Sequence, residues 1–320
     1  MVKCLRVNDM DFMTHEKRYR TLNETLKARF GKKVFKVSLN GHFTCPNKDG
    51  SKGVGGCIFC SPSGSGDFAG KVNDSLKMQY QKVKTQLLTK WPDAYTIGYF
   101  QANTNTYKDV ATLQTLFEET LTLDSQMVGL AIATRCDALD KEKIALLSTL
   151  NKKTFLQVEL GLQTIHEDTA KWMNRGHDLR CFDEAVSQLR NAGIDVVVHI
   201  INGFPQETSE MMINTVKHLN HLDIQGIKIH MLHIMKDTAL GHLYEASPFP
   251  LLSLEAYVDI VVKQLEVLAP HIVVHRVTGD SPKDALIAPE WTLKKFVVMN
   301  EIDKKMRALN THQGLYYQTR

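Results

Sequence analysis

The chain is expected to be an α/β protein, a partial (β/α)6 TIM-type barrel with basic N- and C-terminal extensions. Three observations carry that expectation. Short β-branched or aromatic runs alternate six times with longer stretches of helical period. Each connection between runs is too long for a hairpin, so the strands must be parallel and joined by crossovers. No Gly-x-Gly-x-x-Gly follows the first run, which argues against an open doubly wound sheet and leaves right-handed crossovers to curl the strands.

The elements follow in order. Val34–Leu39 is the first strand and leads into a cysteine-bearing loop. Leu76–Lys90 repeats apolar residues at helical spacing, and Tyr95–Phe100 is an aromatic, β-branched strand. Val110–Leu121 is a helix, Met127–Ala133 a strand, Lys141–Leu150 a helix and Phe155–Leu160 a strand. Asp183–Ala192 is a helix closed by Gly193, a residue that readily takes the left-handed conformation of a helix end. Asp195–Ile201 is a strand, Glu207–Leu222 a helix and Gly226–His230 the last strand of the series. Beyond it, Leu254–Leu268 and Leu293–Leu309 have helical periodicity. No linker, low-complexity tract or repeat divides the chain. It parses as a basic extension over 1–33, the barrel over 34–235 and a C-terminal helical and strand extension packed on the barrel over 236–320, in one continuous domain.

Hydrophobic content of 43% and charged content of 23% are those of a soluble globular protein. No apolar run approaches about 18 residues, and Met1-Val2-Lys3-Cys4-Leu5-Arg6 has no signal-peptide core, so a cytoplasmic protein without a membrane partner is expected. The net charge of +4 is uneven. Residues 1–36 hold ten Lys/Arg and four Asp/Glu, and residues 276–320 hold eight against five. That is +6 and +3, leaving −5 for the middle. Basic ends form a phosphate-binding rim if they meet in space, and are an ordinary solvated surface otherwise.

Three of six cysteines lie close together, in Cys45-x11-Cys57-x2-Cys60. Gly50, Gly53, Gly55 and Gly56 between them permit the reversals that bring separated thiols together. Three thiolates are one short of a closed four-ligand site. On spacing alone, two centres fit: an iron–sulfur cluster with one open iron, or a tetrahedral zinc completed by His42. The surroundings favour the cluster. A small zinc module folds in a few tens of residues and has no need of a large barrel. Here the loop follows the first strand, on the face where such barrels do chemistry. Other strand ends bring polar groups to that face: Gln101, Asn103 and Asn105, then Arg135, then Glu159 and Gln163, then His199 and Asn202, then Lys228 and His230. Singly these are weak signals; a buried Glu159 suits a structural salt bridge and His199 a core histidine.

The residues resemble the radical S-adenosylmethionine superfamily, whose usual loop has three residues between the first two cysteines where this chain has eleven. That spacing resembles the branch related to the Elongator catalytic subunit, and within it the YhcC/YtqA-like (MnmL) family. The matching stretches include CPNKDG, GGCIFCSPSGSGDFAG, YFQANTNT, VELGLQTIHEDTA, NRGHD, HIINGFPQET, GIKIHMLHIMKDT and HRVTGD. The resemblance implies that Cys45, Cys57 and Cys60 hold a [4Fe–4S] cluster whose fourth iron takes S-adenosylmethionine. One electron then cleaves the cofactor to methionine and a 5′-deoxyadenosyl radical, which abstracts hydrogen from substrate. Phe59 is expected near the adenine, and Gln101, Asn103, Glu159, Gln163, His199 and Asn202 are expected to contact the cofactor. The implied substrate is tRNA, with the wobble uridine's 5-carboxymethylaminomethyl side chain converted to 5-aminomethyl, and the implied electron donor is a flavodoxin-type reductase. Lys32, Lys33 and Lys36 are a candidate phosphate patch and Tyr316 and Tyr317 candidate stacking residues. The alternatives are the same chemistry on a small molecule, or a zinc-stabilised RNA-binding protein. One departure is visible: the family's Thr-Arg-Pro-Asp-Cys is Thr134-Arg135-Cys136-Asp137-Ala138 here. Cys136 is accordingly expected to be a small buried residue without a catalytic role, and Cys4 and Cys181 structural.

Overall fold

A computed structural model describes residues 17–64 and 66–318. In chain order it contains α1 (Leu22–Phe30), β1 (Val34–Leu39), α2 (Leu76–Leu88), β2 (Tyr95–Phe100), α3 (Val110–Leu121), β3 (Met127–Thr134) and α4 (Lys141–Asn151). Then come β4 (Phe155–Gln163), α5 (Glu167–Trp172), α6 (Leu179–Asn191), β5 (Asp195–Asn202), α7 (Ser209–Leu219) and β6 (Gly226–Met231). The chain continues through β7 (Ile234–Met235), α8 (Ala239–Ala246), α9 (Leu254–Val267), β8 (Val273–Arg276), β9 (Leu286–Ala288) and α10 (Lys295–Ala308).

The main sheet runs β1-β2-β3-β4-β5-β6-β8, with every neighbouring pair parallel. The six expected strands are present, and a seventh, β8, extends the sheet from within the C-terminal segment. Its four residues are too short a run to separate from a loop by pattern alone. The strands are rich in Val, Ile and Leu because helices cover their outer face, and Val196, Val197 and Val198 of β5 are wholly buried. Contacts across the lumen show the curl. Tyr99 on β2 accepts a hydrogen bond from Lys228 on β6 at 3.1 Å, although three strands separate them in the sheet.

Helix starts follow capping chemistry more closely than apolar period. Asp178 accepts from the Cys181 N–H at 2.8 Å and starts α6 four residues before the expected Asp183. The unforeseen α1 also has a local signature, Thr21-x-x-Glu24 at its start and Gly31 at φ +74° at its end.

The two ends of the described chain meet. Val274 N–H of edge strand β8 donates to Arg20 O at 2.8 Å, so the stretch before α1 covers the open edge of the sheet. Gln313, 1% exposed, ties this junction together. Its Nε2 donates to Ala269 O and Ile272 O, both at 2.8 Å, and its Oε1 accepts from Arg20 N–H at 2.9 Å. Lys17 also pairs with Asp303 on α10. The N-terminal part of the basic extension, including Cys4, lies outside the described residues.

The candidate phosphate patch is not a single surface. Lys32 is exposed, Lys33 lies 5.0 Å over the Trp91 ring, and Lys36 points into the lumen because alternate residues of β1 face inward. Tyr316 is exposed, while Tyr317 packs on the core. Replacing Gln313 with Ala strands two buried backbone carbonyls and one part-buried N–H, and is expected to cost about 2–3 kcal/mol and lower Tm by several degrees in a thermal melt.

Candidate active site

One cavity of about 810 Å³ opens at the C-terminal ends of the strands and runs down the lumen. Cys45, Cys57, Cys60, Phe59, Gln101, Asn103, Glu159, Gln163 and His199 line it, so the fold gathers nine of the ten candidate residues. Asn202 is the exception. His199 and Ile201 on β5 face the cavity, and the period of two turns Asn202 to the other face. There it forms a buried reciprocal pair with Gln264 of α9, at 2.8 and 2.9 Å. Its amide is a strand–helix contact, which corrects the expected cofactor role.

Glu159 is also corrected. Its side chain is fully buried and both oxygens are engaged: Oε1 accepts from Lys36 Nζ at 2.6 Å, and Oε2 from Lys228 Nζ at 2.5 Å and His199 Nε2 at 2.7 Å. Burial raises the carboxyl pKa, but the Lys228 and Lys36 ammoniums and the His199 hydrogen bond overcome it and hold the group well below the usual range. Burial in turn draws Lys228 down to about 7 and His199 to about 4. Glu159 is thus the ionic centre of the lumen rather than a free ligand for a ribose.

Backbone geometry presents the amides. Gln163 sits at a break in register between β4 and β5 with φ +68°, a conformation disfavoured for non-glycine residues and characteristic of sites under functional constraint. Asn103 at φ +61° uses its side chain structurally, donating to Phe43 O at 3.0 Å. Gly64 leaves room for it, since a Cβ there would lie 1.9 Å from Asn103 Oδ1. Phe59 packs beside Phe204, ring centroids 6.2 Å apart, on the small core under β7 and α8.

The cysteine loop is bolted to the barrel by the segment between α5 and α6. Asn174, at φ +55°, donates to Val54 O at 3.0 Å and Gly56 O at 2.8 Å. Ile58 N–H donates to Met173 O at 3.0 Å, and Asn47 Nδ2 to Asn174 O at 2.6 Å. Arg175, 1% exposed, anchors that segment to Leu162 O and Thr164 O at 2.9 and 2.6 Å. Arg135 bridges Asp137 and Arg175 O. Of these, Asn174 and Arg175 belong to the NRGHD stretch that carries the family resemblance, but nothing in its pattern says that it holds the cysteine loop.

The thiols suit a cluster better than one zinc ion. Cys57 is pushed well above the ordinary thiol range by its hydrogen bond with Cys60, then by burial and the charges of Cys60 and Cys45, against the pull of Arg135. The three sulfurs therefore feel one another, and a metal centre relieves that strain by taking thiolates. His42, the fourth ligand of the zinc alternative, is exposed at φ +56°. Three thiols without a fourth ligand, on an open cavity, fit a cluster with one exchangeable position.

Two outcomes follow. Glu159→Gln leaves Lys36 and Lys228 unneutralised and is expected to cost roughly 3–5 kcal/mol in urea unfolding at pH 7. Because the folded carboxyl is depressed, the stabilisation it supplies is full above the unfolded value of about 4.3 and is lost as pH falls through the folded value. The gap between wild type and variant should therefore narrow below about pH 4. Asn174→Ala removes two loop hydrogen bonds of about 1 kcal/mol each, and should speed loss of iron to a chelator by about tenfold or more.

A model of the Radical SAM superfamily matches residues 50–219, and one of the Radical_SAM C-terminal domain matches residues 224–308. YtqA of Bacillus subtilis is 47% identical over 311 residues, 97% of this chain and 96% of YtqA. YhcC of Escherichia coli K12 is 32% identical over 288 residues, 90% of this chain and 91% of YhcC. The archaeal Elp3 of Methanocaldococcus infernus, with its N-terminus deleted, shares the fold with a TM-score of 0.65 at 16% identity, over 88% of this chain and 64% of that one. A family match across more than half the chain, and a relative 47% identical along nearly all of it, place this protein in the radical S-adenosylmethionine superfamily, among relatives of YtqA and YhcC.

Proposed function

We propose that this radical S-adenosylmethionine enzyme modifies tRNA, converting the 5-carboxymethylaminomethyl side chain of the wobble uridine to 5-aminomethyl. The observation that carries the reading is the charge of the cavity. Eight lysines and arginines line the site of about 810 Å³ against three acids, Asp67, Glu159 and Asp280, and the lining stays net positive even though Arg135 pairs with Asp137 and Arg175 with Glu167 beside it. In the lumen below the cysteine loop Lys36 and Lys228 share Glu159 and Arg276 pairs with Asp280, three cations against two acids, and the residual positive charge would attract an anionic group such as a carboxylate or phosphate.

The family binds a [4Fe–4S] cluster and S-adenosylmethionine. When bound, the pair supplies a 5′-deoxyadenosyl radical once a reductase of flavodoxin type has delivered an electron. Cys45, Cys57 and Cys60 would hold the irons, and Gln101 and Gln163 would offer hydrogen bonds to the cofactor's polar groups. Phe59, backed by Phe204, gives an apolar wall for the adenine. Glu159 fixes Lys36, Lys228 and His199 in the lumen, and Lys228 Nζ is poised to give or take a proton near neutrality.

The test is anaerobic reconstitution with iron and sulfide, then dithionite, S-adenosylmethionine and tRNA carrying 5-carboxymethylaminomethyluridine. Nucleosides and 5′-deoxyadenosine are then read by mass spectrometry. The 5-aminomethyl nucleoside should appear together with 5′-deoxyadenosine, and both should vanish in Cys57→Ala. If 5′-deoxyadenosine forms at the same rate without tRNA and the nucleoside stays unchanged, a small-molecule substrate replaces this reading.

A further inference from the structure

A second pair of cysteines lies behind the cysteine loop and outside the cavity. Cys136 is in the turn after β3, the position where the chain departs from its family's pattern, and is 3% exposed. Cys181 is in the first turn of α6 and half-buried. Their sulfurs are 3.5 Å apart, with the Cys181 thiol directed at Cys136, although 44 residues separate them. Neither lines the cavity that holds Cys45, Cys57 and Cys60.

We propose that Cys136 and Cys181 form a reversible dithiol–disulfide couple, a hydroperoxide-sensitive site distinct from the iron–sulfur ligands. The two thiols are in contact, so a small side-chain rotation brings the sulfurs to bonding distance without unfolding either element. The roles differ by position. Cys181 is the accessible member, at a helix N-terminus whose dipole favours a thiolate. Its pKa is lowered by the hydrogen bond with Cys136 and by Lys52, against burial and the nearby Asp137 and Asp178. Cys136 is raised by that same contact, by burial and by Asp137, against Arg135, which suits a resolving thiol that reacts second.

The chemistry balances. The Cys181 thiolate attacks one oxygen of the hydroperoxide, forming S–O as O–O breaks, and the departing oxygen leaves as water or alcohol after taking a proton. The Cys136 sulfur then attacks the sulfenic sulfur of Cys181, forming S–S and releasing water, with its own proton going to the leaving hydroxyl. Two thiols lose two electrons and two protons, and the hydroperoxide is reduced. A dithiol reductant reverses the step by exchange. The disulfide ties the turn carrying Arg135 and Asp137 to the start of α6, just after Arg175 and His177. Arg135 donates to Arg175 O across that gap at 2.8 Å, so oxidation stiffens the segment that backs the cysteine loop.

The readout needs neither S-adenosylmethionine nor substrate. The anaerobically reconstituted full chain is treated with limiting hydrogen peroxide, alkylated and digested with trypsin without reduction. Cleavage after Arg135, Lys141, Arg180 and Arg190 puts each thiol alone on its own peptide, 136–141 and 181–190, apart from the loop cysteines. The linked pair should accumulate with peroxide, disappear on dithiothreitol and be lost in Cys181→Ala. In Cys136→Ser the same dose should leave Cys181 as a sulfenic acid that dimedone labels. The proposal is overturned if the loop cysteines oxidise while 136–141 and 181–190 stay unlinked, or if Cys181 proceeds to sulfinic acid in the wild-type chain. The wild-type digest decides this even if a variant misfolds.

Discussion

The carboxylate of Glu159, buried in the lumen on the central strand β4, is the point on which the architecture turns. It is held by Lys36 from β1 and Lys228 from β6, strands far apart in the sheet order, and by His199 from β5 between them. A flat sheet would leave those cations too far apart to share one acid. The curl brings them together, and the acid makes the curl tolerable by neutralising charges that burial would otherwise penalise heavily. A cavity wide enough for a cofactor and a reacting group is what remains above this centre.

The cysteine loop has little regular structure of its own and borrows its shape from the barrel. Asn174 and Met173 hold it from one side, and Leu240 N–H donates to Ile58 O at 2.8 Å from the other. Glycine is required at two close approaches. A Cβ at Gly53 would lie 2.1 Å from Asn47 Oδ1, and one at Gly176 would lie 2.5 Å from the same atom. The eleven residues between Cys45 and Cys57 therefore form a wrapped turn around Asn47, in which backbone hydrogen bonds replace the short spacing usual in the superfamily.

Much of the fold was legible in the sequence because strand runs and helical period are local signals. β1, β2 and α3 fall at their expected bounds, and the polar strand ends pointed to the working face. The misses share a cause. β4 and β5 are buried on both faces, so apolar pattern does not say which residues look inward; Asn202 is one position out of phase with His199 and Ile201 and packs against α9. Lys36 resembled a surface charge next to Lys32 and Lys33, yet alternation along β1 turns it into the lumen. β8 was not placed because four residues are too short a run to read as a strand, and its pairing partners, Thr21 and β6, are remote in the chain.

By itself the sequence determined the alternation of strands and helices, the triad Cys45, Cys57 and Cys60, and the face on which it lies, since all three rest on spacing within a few tens of residues. Tertiary structure alone decided that Glu159 is an ionic centre, that Asn174 and Arg175 carry the loop, that Gln313 joins the two ends and that Cys136 meets Cys181. Each of those depends on a contact between residues distant in sequence. Such contacts are set by how the sheet curls and which face of a strand turns inward, and local pattern encodes neither.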